Sequence, residues 1–358
     1  MKIIRQIITI LFVLLIANSG FSWGFFAHKR INRLAVFTLP PDMITFYKQN
    51  IVYLTENAIN PDRRRYAVDG EAPKHYIDID IYGDSAVYKM PRNWKDAVAK
   101  YTEDTLQAYG INPWWVNKMK FQLTEAFKRM DAKAILRISA DLGHYIADGN
   151  VPLHTTHNYN GQYSNQYGIH GFWESRLPEL FSEEYDYFVG NATFIKNPQL
   201  RAWECITAAH LALDSVLRFE KELTSTMPED KKYSYEERNG ITVKVYSQPF
   251  SKAYHDQLAG QVERRMRASI KTVGDFWYTA WVDAGQPNLK VLTDFKFSEE
   301  DLKLLQEEND NWKQKMLEVR PESMNSTHDH DSHHANLDCC GHHDFFTYRL
   351  MKIKSDLK

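Results

Sequence analysis

Apolar residues recur at three- and four-residue spacings along most of this chain, which is the pattern of amphipathic helices. The segment 94–110, WKDAVAKYTEDTLQAYG, predicts a helix, and the segment 116–148 predicts two helices joined near Met130 and Asp131. Further helical patterns cover 199–222, 252–284 and 299–318. Because strand signals are scarce, the pattern predicts an all-α fold.

One segment has the alternation of a β-hairpin. Residues 233–247, YSYEERNGITVKVYS, alternate between apolar and polar positions on either side of Asn239-Gly240. Asn-Gly is a favoured two-residue hairpin turn. The sequence therefore predicts a small hairpin inserted between helices, within a single mostly helical domain that spans residues 23–320.

The first 22 residues have the features of a secretory signal. Lys2 and Arg5 precede the apolar run ITILFVLLIA, which is short for a bilayer span, and small residues including Ser22 follow it. We expect cleavage after Ser22, which would leave Trp23 as the new N-terminus, and export to the periplasm or the medium. An uncleaved anchor is the alternative.

Composition adds three limits. The chain has 358 residues, of which 43% are hydrophobic and 25% are charged. Its net charge of −2 does not give the positive electrostatic field that is typical of proteins that bind duplex DNA. Only three cysteines are present, too few for a disulfide scaffold, and Cys205 falls in a helical pattern that predicts a core position. Nothing in the composition indicates a stable protein partner.

Metal-ligand chemistry is concentrated in the segment HYIADGNVPLH, residues 144–154. His144 and Asp148 are four apart, so on a helix they share one face. Gly149 and Pro152 then end the helix. His154 follows on a loop that can fold back toward the helix end, which would bring three ligand-type side chains together.

A second pair repeats this spacing downstream. His170 is followed four residues later by Glu174, and four histidines (including His157) lie within the 27 residues 144–170. A surface acid paired with Arg176 is the alternative interpretation of Glu174. Imidazole and carboxylate without thiolate suit zinc in a catalytic setting. Upstream candidates for the same cluster are His28, Asp62 and His75.

The order of these residues resembles the zinc-dependent phospholipase C family of bacteria and the related S1/P1 nuclease family. Both families share an all-helical fold and a cluster of three zinc ions. The resemblance covers roughly residues 23–290. The matching positions are Trp23, His28, Asp62, His75, His144, Asp148, His154, His170 and Glu174.

The resemblance implies three Zn²⁺ per chain. Trp23, through its freed amino group and carbonyl, would hold one ion with His28 and Asp148. Asp148 would bridge to a second ion. The remaining sets are Asp62, His75, His144 and Asp148 for the second ion, and His154, His170 and Glu174 for the third. Asp62 would also orient or deprotonate the attacking water, as the catalytic acid of the family does.

Asp62 has a rival in Asp69. Asp62 is preferred because it lies thirteen residues before His75, near the family spacing, in a loop after Pro61. Asp69 would otherwise take the same position in the metal site.

Two substrate classes follow from the resemblance. Glu174 favours phospholipid, because the nucleases usually carry Asp at that position. The alternative is single-stranded nucleic acid or nucleotides, favoured by the nuclease-like gap from Trp23 to His28. Three tyrosines lie in the loop beside the predicted site: Tyr159, Tyr163 and Tyr167. They are candidates for contact with either substrate, and packing of the loop is the alternative. The run Arg63, Arg64 and Arg65 is interpreted as a solvated charge run rather than a phosphate contact.

The tail from residue 321 loses helical period and is rich in His and Asp, which predicts a flexible segment 321–358. Its candidate accessory metal ligands are His328, His330, His333, His334, Cys339, Cys340, His342 and His343. A non-catalytic zinc-binding protein is therefore a further alternative. Removal of the tail separates the two, because an enzyme keeps its activity and a zinc buffer loses its capacity.

Overall fold

A computed structural model describes residues 24–238 and 240–319. The predicted signal segment, Trp23, Asn239 of the hairpin turn and the whole His-rich tail lie outside the described residues. Within those residues the all-α prediction is confirmed, because the chain is mostly helical with one small antiparallel hairpin. None of the described helices is long and apolar enough to span a bilayer.

The helices follow one another with short connections. The α-helices are α1 Gly24–Ala35, α2 Pro41–Gln49, α3 Ile51–Glu56, α4 Asn60–Arg64, α5 Ala86–Lys89, α6 Trp94–Tyr101, α7 Glu103–Tyr109, α8 Asn112–Lys128, α9 Ala132–Asp148, α10 Ile169–Gly171, α11 Leu177–Phe181, α12 Pro198–Thr226, α13 Glu229–Lys232, α14 Gln248–Gln257, α15 Gln261–Asp283 and α16 Glu299–Val319. A π-helical turn, Phe172–Arg176, joins α10 to α11. Short 3₁₀ turns cover Val36–Thr38, Asn57–Ile59, Ala72–Lys74, Ile79–Tyr82, Pro152–Thr155, Ser182–Glu184 and Leu289–Leu292.

Helix α9 is the centre of the molecule. It packs against α1, α8 and α15, and every residue from Ser139 to Asp148 is buried. A helix buried on all faces needs partners for its polar groups. Ser139 supplies an example, because its carbonyl accepts from Trp277 Nε1 at 3.1 Å and its hydroxyl lies 2.9 Å from the Tyr47 hydroxyl. The candidate metal-ligand residues at the end of α9 therefore lie on a fully buried stretch of helix.

The predicted junction between the two helices of 116–148 is confirmed. Helix α8 ends at Lys128 and α9 begins at Ala132, where the Asp131 side chain accepts from the Ala134 amide at 3.0 Å. Aspartate in this capping position satisfies an amide that the helix leaves without a partner. The predicted helical pattern at 299–318 and the one at 199–222 are also confirmed, as α16 and the longer α12.

Two predicted helices are broken in the structure. The prediction of one helix over 94–110 is wrong, because Thr102 has φ +67° and separates α6 from α7. Thr102 caps α7, and two acids follow it in the first turn of α7. The prediction of one continuous helix over 252–284 is likewise wrong, because Gly260 at φ +76° lies between α14 and α15. Glycine readily takes that conformation, so the chain changes direction between the end of α14 at Gln257 and the start of α15 at Gln261.

The hairpin prediction is confirmed, with strands β1 Tyr233–Arg238 and β2 Ile241–Tyr246. Two contacts attach the hairpin to the π-helical turn. Tyr246 stacks on Phe172 with ring centroids 3.8 Å apart, and Arg176 donates to Glu236 at 3.1 Å. The hairpin therefore supports the turn that carries Glu174.

Candidate metal centre

The last turn of α9 supplies the middle of the site. His144 and Asp148 are one turn apart, and His144 Nε2 lies 3.2 Å from Asp148 Oδ2. The helix ends at Asp148, as the Gly149 and Pro152 signals predicted. His154 lies in the 3₁₀ turn that follows, with its Nε2 4.0 Å from Asp148 Oδ1. The loop thus folds back onto the helix end, as the sequence predicted.

The segment around His75 is fixed to this loop by one backbone hydrogen bond and one contact from a side chain to the backbone. The Ile77 amide donates to the His154 carbonyl at 2.9 Å, and the His75 carbonyl lies 2.6 Å from His154 Nδ1. On the other side, the Asn112 side chain donates to the carbonyls of Lys74 and Tyr145. These bonds hold His75 Nδ1 2.9 Å from Asp148 Oδ2.

His170 and Glu174 approach from the opposite side, His170 on the short helix α10 and Glu174 on the π-helical turn that follows it. His170 Nε2 lies 2.7 Å from Glu174 Oε2 and 3.2 Å from His154 Nε2. A π turn is a frequent feature of functional sites, because its extra residue changes the direction of the side chains that follow. Here both side chains are buried and face the cluster.

Helices α1 and α4 complete the cluster. His28 Nε2 lies 3.3 Å from Asp148 Oδ1 and 3.3 Å from Glu174 Oε1. Asp62 Oδ1 lies 3.5 Å from His144 Nε2 and 3.7 Å from His75 Nδ1. Asp62 lies in the short helix α4, so its predicted position in a loop is wrong, and its rival Asp69 is exposed.

The structure therefore brings together the eight predicted ligand residues that it describes. They form three groups in which the potential ligand atoms lie within 4.8 Å of one another. These groups are His28, His144 and Asp148; Asp62, His75 and His144; and His154, His170 and Glu174. The third group matches the set expected from the resemblance, whereas His144 belongs to both of the others.

The outward-facing nitrogens test whether these histidines fit a metal. A metal-ligating imidazole usually donates from its other nitrogen to a carbonyl or carboxylate, which fixes the ring and its tautomer. Nδ1 of His144 lies 2.9 Å from the Ala58 carbonyl, and Nδ1 of His170 lies 3.3 Å from the Tyr159 carbonyl. His154 makes the equivalent contact to His75. Each of these rings thus presents Nε2 to the cluster, and the donor set fits a divalent metal.

The charges at the centre also favour cation binding. Burial raises the pKa of Asp148 and of Glu174, but the surrounding histidines outweigh it and hold both pKa values well below the usual range. Burial lowers the pKa of His75 to about 4, so its ring is neutral at pH 7. Burial also lowers the pKa of His28, but Asp148 and Glu174 raise it to about 10. A bound metal would displace that proton, as metal binding to protonated ligands does.

The alternative interpretation of Glu174 as a surface acid is wrong. Its residue is 8% exposed, and Arg176 pairs with Glu236 of the hairpin instead. The interpretation of the arginine run as solvated is wrong as well. Arg65 is 5% exposed, and Arg64 is paired with Glu71 and Asp141.

Arg65 also lies near the ligands. It lines a small cavity together with the ligand candidates His154 and His170 and with Tyr159.

The tyrosines of the loop take different positions. Tyr159 is buried with its ring 6.1 Å from that of His170, whereas Tyr163 is 68% exposed and stacks on His157 at 5.3 Å. Tyr167 is also exposed. His157 itself contacts Asp78 and belongs to none of the three groups. Cys205 is buried, as its helical pattern predicted.

One buried residue beside the ligands escaped prediction. Glu71 is 1% exposed, and its Oε1 lies 3.9 Å from His75 Nε2. Its signal was the spacing, because Glu71 and His75 are four apart, the same separation as in the two predicted pairs.

Comparison of the chain with protein-family models found no matching family, and a search of curated proteins found no match.

Proposed function

We propose that this chain is a zinc-dependent phosphodiester hydrolase. The observation that carries the proposal is that the oxygens of buried Asp148 lie within 4.0 Å of four histidine nitrogens. These residues belong to a cluster made of three groups of ligand-type atoms. Bound zinc ions would supply a lowered pKa for attacking water and positive charge for the phosphate oxygens. The ligand sets that we propose are those implied by the resemblance, in which Trp23 and His28 share one ion with Asp148, and Asp148 also joins the second set.

Asp62 is suited to handle the attacking water. Its side chain is 26% exposed, whereas the other seven described ligand candidates are buried. It therefore lies where the cluster meets solvent and can orient a water molecule or accept its proton. A group in this role contributes roughly 10²- to 10⁴-fold to the rate.

Arg65 is suited to contact a phosphate oxygen. Its guanidinium lies over the Tyr76 ring at 5.9 Å and lines the same cavity as His154 and His170. Arginine matches the geometry of phosphate through its planar set of donors. A phosphodiester beside the third group would then meet a fixed positive charge from the protein.

We propose a phospholipid as the substrate, in a phospholipase C-like reaction. Glu174 supports this choice through the resemblance, because the phospholipases carry Glu at the matching position. Single-stranded nucleic acid is the second candidate. One observation favours it: Tyr163 is exposed and stacked on His157, and an exposed aromatic ring offers a platform for a base.

Parallel assays of both substrates test the proposal. Protein purified after expression of the full chain and loaded with zinc is given phosphatidylcholine vesicles or single-stranded DNA. We expect phosphocholine release, and a loss of at least about 10³-fold in His144→Ala, because two of the three groups share this ring. His255→Ala is the control. Its ring contacts Tyr185 and Phe181, and His255 belongs to none of the three groups, so the rate of this variant should match that of the wild type.

Each outcome decides between the candidates. Release of nucleotides without phosphocholine would replace the phospholipid by nucleic acid as the substrate. If neither substrate turns over while zinc stays bound, the hydrolase proposal is wrong and a non-catalytic zinc-binding protein gains support.

A further inference from the structure

The ring of His75 is turned the opposite way from three other histidines of the cluster. His144, His154 and His170 direct Nδ1 away from the centre, toward backbone carbonyls. His75 instead presents Nδ1 to Asp148, at 2.9 Å. Its outward nitrogen is therefore Nε2, and in the described part of the chain this buried atom has no hydrogen-bond partner. The nearest carboxylate recorded for it is Glu71, 3.9 Å away.

Glu71 is held in place from several sides. Arg64 Nε donates to its Oε1 at 2.9 Å, Lys74 Nζ pairs with its Oε2 at 2.6 Å, and the Tyr145 hydroxyl donates to Oε1. Arg64 is fixed in turn by Asp141 at 3.0 Å. These contacts with Arg64, Lys74 and Tyr145 hold the buried carboxylate in place beside His75.

We propose that Glu71 is the positioning residue of His75, which keeps its proton on Nε2 and its lone pair on Nδ1 directed at the metal. This inference rests on the metal binding in the proposed function but not on the substrate. A carboxylate behind a ligating imidazole fixes the tautomer and raises the basicity of the ring. At 3.9 Å, the negative charge of the Glu71 carboxylate favours a proton on the facing Nε2 of the neutral ring.

A purely structural network is the competing explanation. Arg64, Asp141 and Lys74 would need a counter-charge in the interior whether or not a metal binds. The two explanations differ in one respect. A structural role changes the stability of the protein without metal, whereas a positioning role changes the affinity for metal in a protein that is still folded.

Zinc affinity of the full chain separates them. Glu71→Gln keeps the shape of the side chain and removes its charge, and a competing chromophoric chelator reports each zinc bound. We expect one of the zinc ions to bind about 10- to 100-fold more weakly, as for other carboxylates behind a ligand. Glu71→Asp, which restores the charge, should recover most of the affinity. Glu183→Gln is the control, because Glu183 also pairs with an arginine, Arg30, but on the surface.

Equal zinc affinities in wild type and Glu71→Gln would overturn the inference and leave the proposed function intact. A wild type that binds no zinc would overturn both. If Glu71→Gln does not fold, ¹H–¹⁵N spectra of ¹⁵N-histidine-labelled, zinc-loaded wild type decide the matter. We expect the proton of His75 on Nε2 and those of His144, His154 and His170 on Nδ1. A His75 proton on Nδ1 would overturn the inference.

Discussion

An Asp148→Asn variant is expected to lose the metal centre almost completely. Asp148 is 1% exposed, and its two oxygens face four histidines, with His75 and His144 on Oδ2 and His28 and His154 on Oδ1. The amide is neutral and offers one oxygen, so it cannot serve ions on both sides. We expect zinc affinity to fall at least about 100-fold, because a direct ligand should matter more than the 10- to 100-fold of a supporting group.

Phosphodiester hydrolysis by Asp148→Asn should fall by at least about 10³-fold, which corresponds to roughly 4 kcal/mol of transition-state stabilisation. Zinc content and hydrolysis are measured on the same preparation. Asp275→Asn is the control. Asp275 is also buried and accepts from the Thr193 amide at 2.6 Å, but it belongs to none of the three groups. Full zinc content in Asp148→Asn would contradict the bridging role.

A Gly110→Ala variant is expected to be destabilised by about 3–5 kcal/mol. Gly110 has φ +95°, and an added Cβ would meet the backbone carbonyl of Tyr76 well inside van der Waals contact. That carbonyl is held in place, because it accepts from the Asn112 amide at 3.2 Å. The Ile111 amide donates to the Pro73 carbonyl, and the Asp78 amide donates to the Tyr109 carbonyl. The backbone segment that would have to shift is the one that contains His75.

Gly83→Ala separates strain from collision in this prediction. Gly83 has φ +101° and ψ 164°, close to the +95° and 147° of Gly110, but nothing lies within 4 Å of an added Cβ there. It should lose only about 1–3 kcal/mol, the strain contribution alone. The free energy of unfolding in denaturant, measured on both variants, checks the difference. An equal decrease in the free energy of unfolding of both variants would show that the close contact between Gly110 and the Tyr76 backbone does not contribute. We also expect zinc affinity to fall in Gly110→Ala but not in Gly83→Ala.

Helical period predicted the fold class and the helices α8, α9, α12 and α16, because burial on one face leaves a repeat that a single sequence displays. It predicted no helix in the segments that hold α1 to α5, α10, α11 and α13. It did not predict the break at Thr102. No Gly or Pro marks that position, and the apolar repeat continues through it. The capping threonine with acids behind it was the available signal. Gly260 was visible, but an isolated glycine is tolerated in a helical pattern, so its positive φ had to come from the structure.

The candidate site was predictable where its residues lie in short-range pairs. His144 with Asp148, and His170 with Glu174, follow from a four-residue spacing. The placement of His28, Asp62 and His75 next to them depends on long-range packing of α1, α4 and the His75 segment against α9. That packing was reached only through the resemblance, which the family and curated comparisons did not test because nothing matched.

Burial of charge was the weakest part of the prediction. Three consecutive arginines look solvated in a sequence, because exposed charge runs are far more common than buried ones. Arg65 is buried and Arg64 is half-buried here, because Glu71, Asp141 and the Tyr76 ring provide partners. Those partners lie between 7 and 77 residues away along the chain. Only the folded structure could therefore place the arginines beside the ligands.

The metal centre is tested most directly by anomalous scattering at the zinc edge from crystals of the zinc-loaded protein. Three peaks are expected, one in each group, with zinc–nitrogen distances of about 2.0–2.1 Å. The measurement also distinguishes this centre from zinc held by the His- and Cys-rich tail. Absence of peaks between Asp148 and its four histidines, with zinc found elsewhere or not at all, would contradict the metal centre and the hydrolase proposed from it.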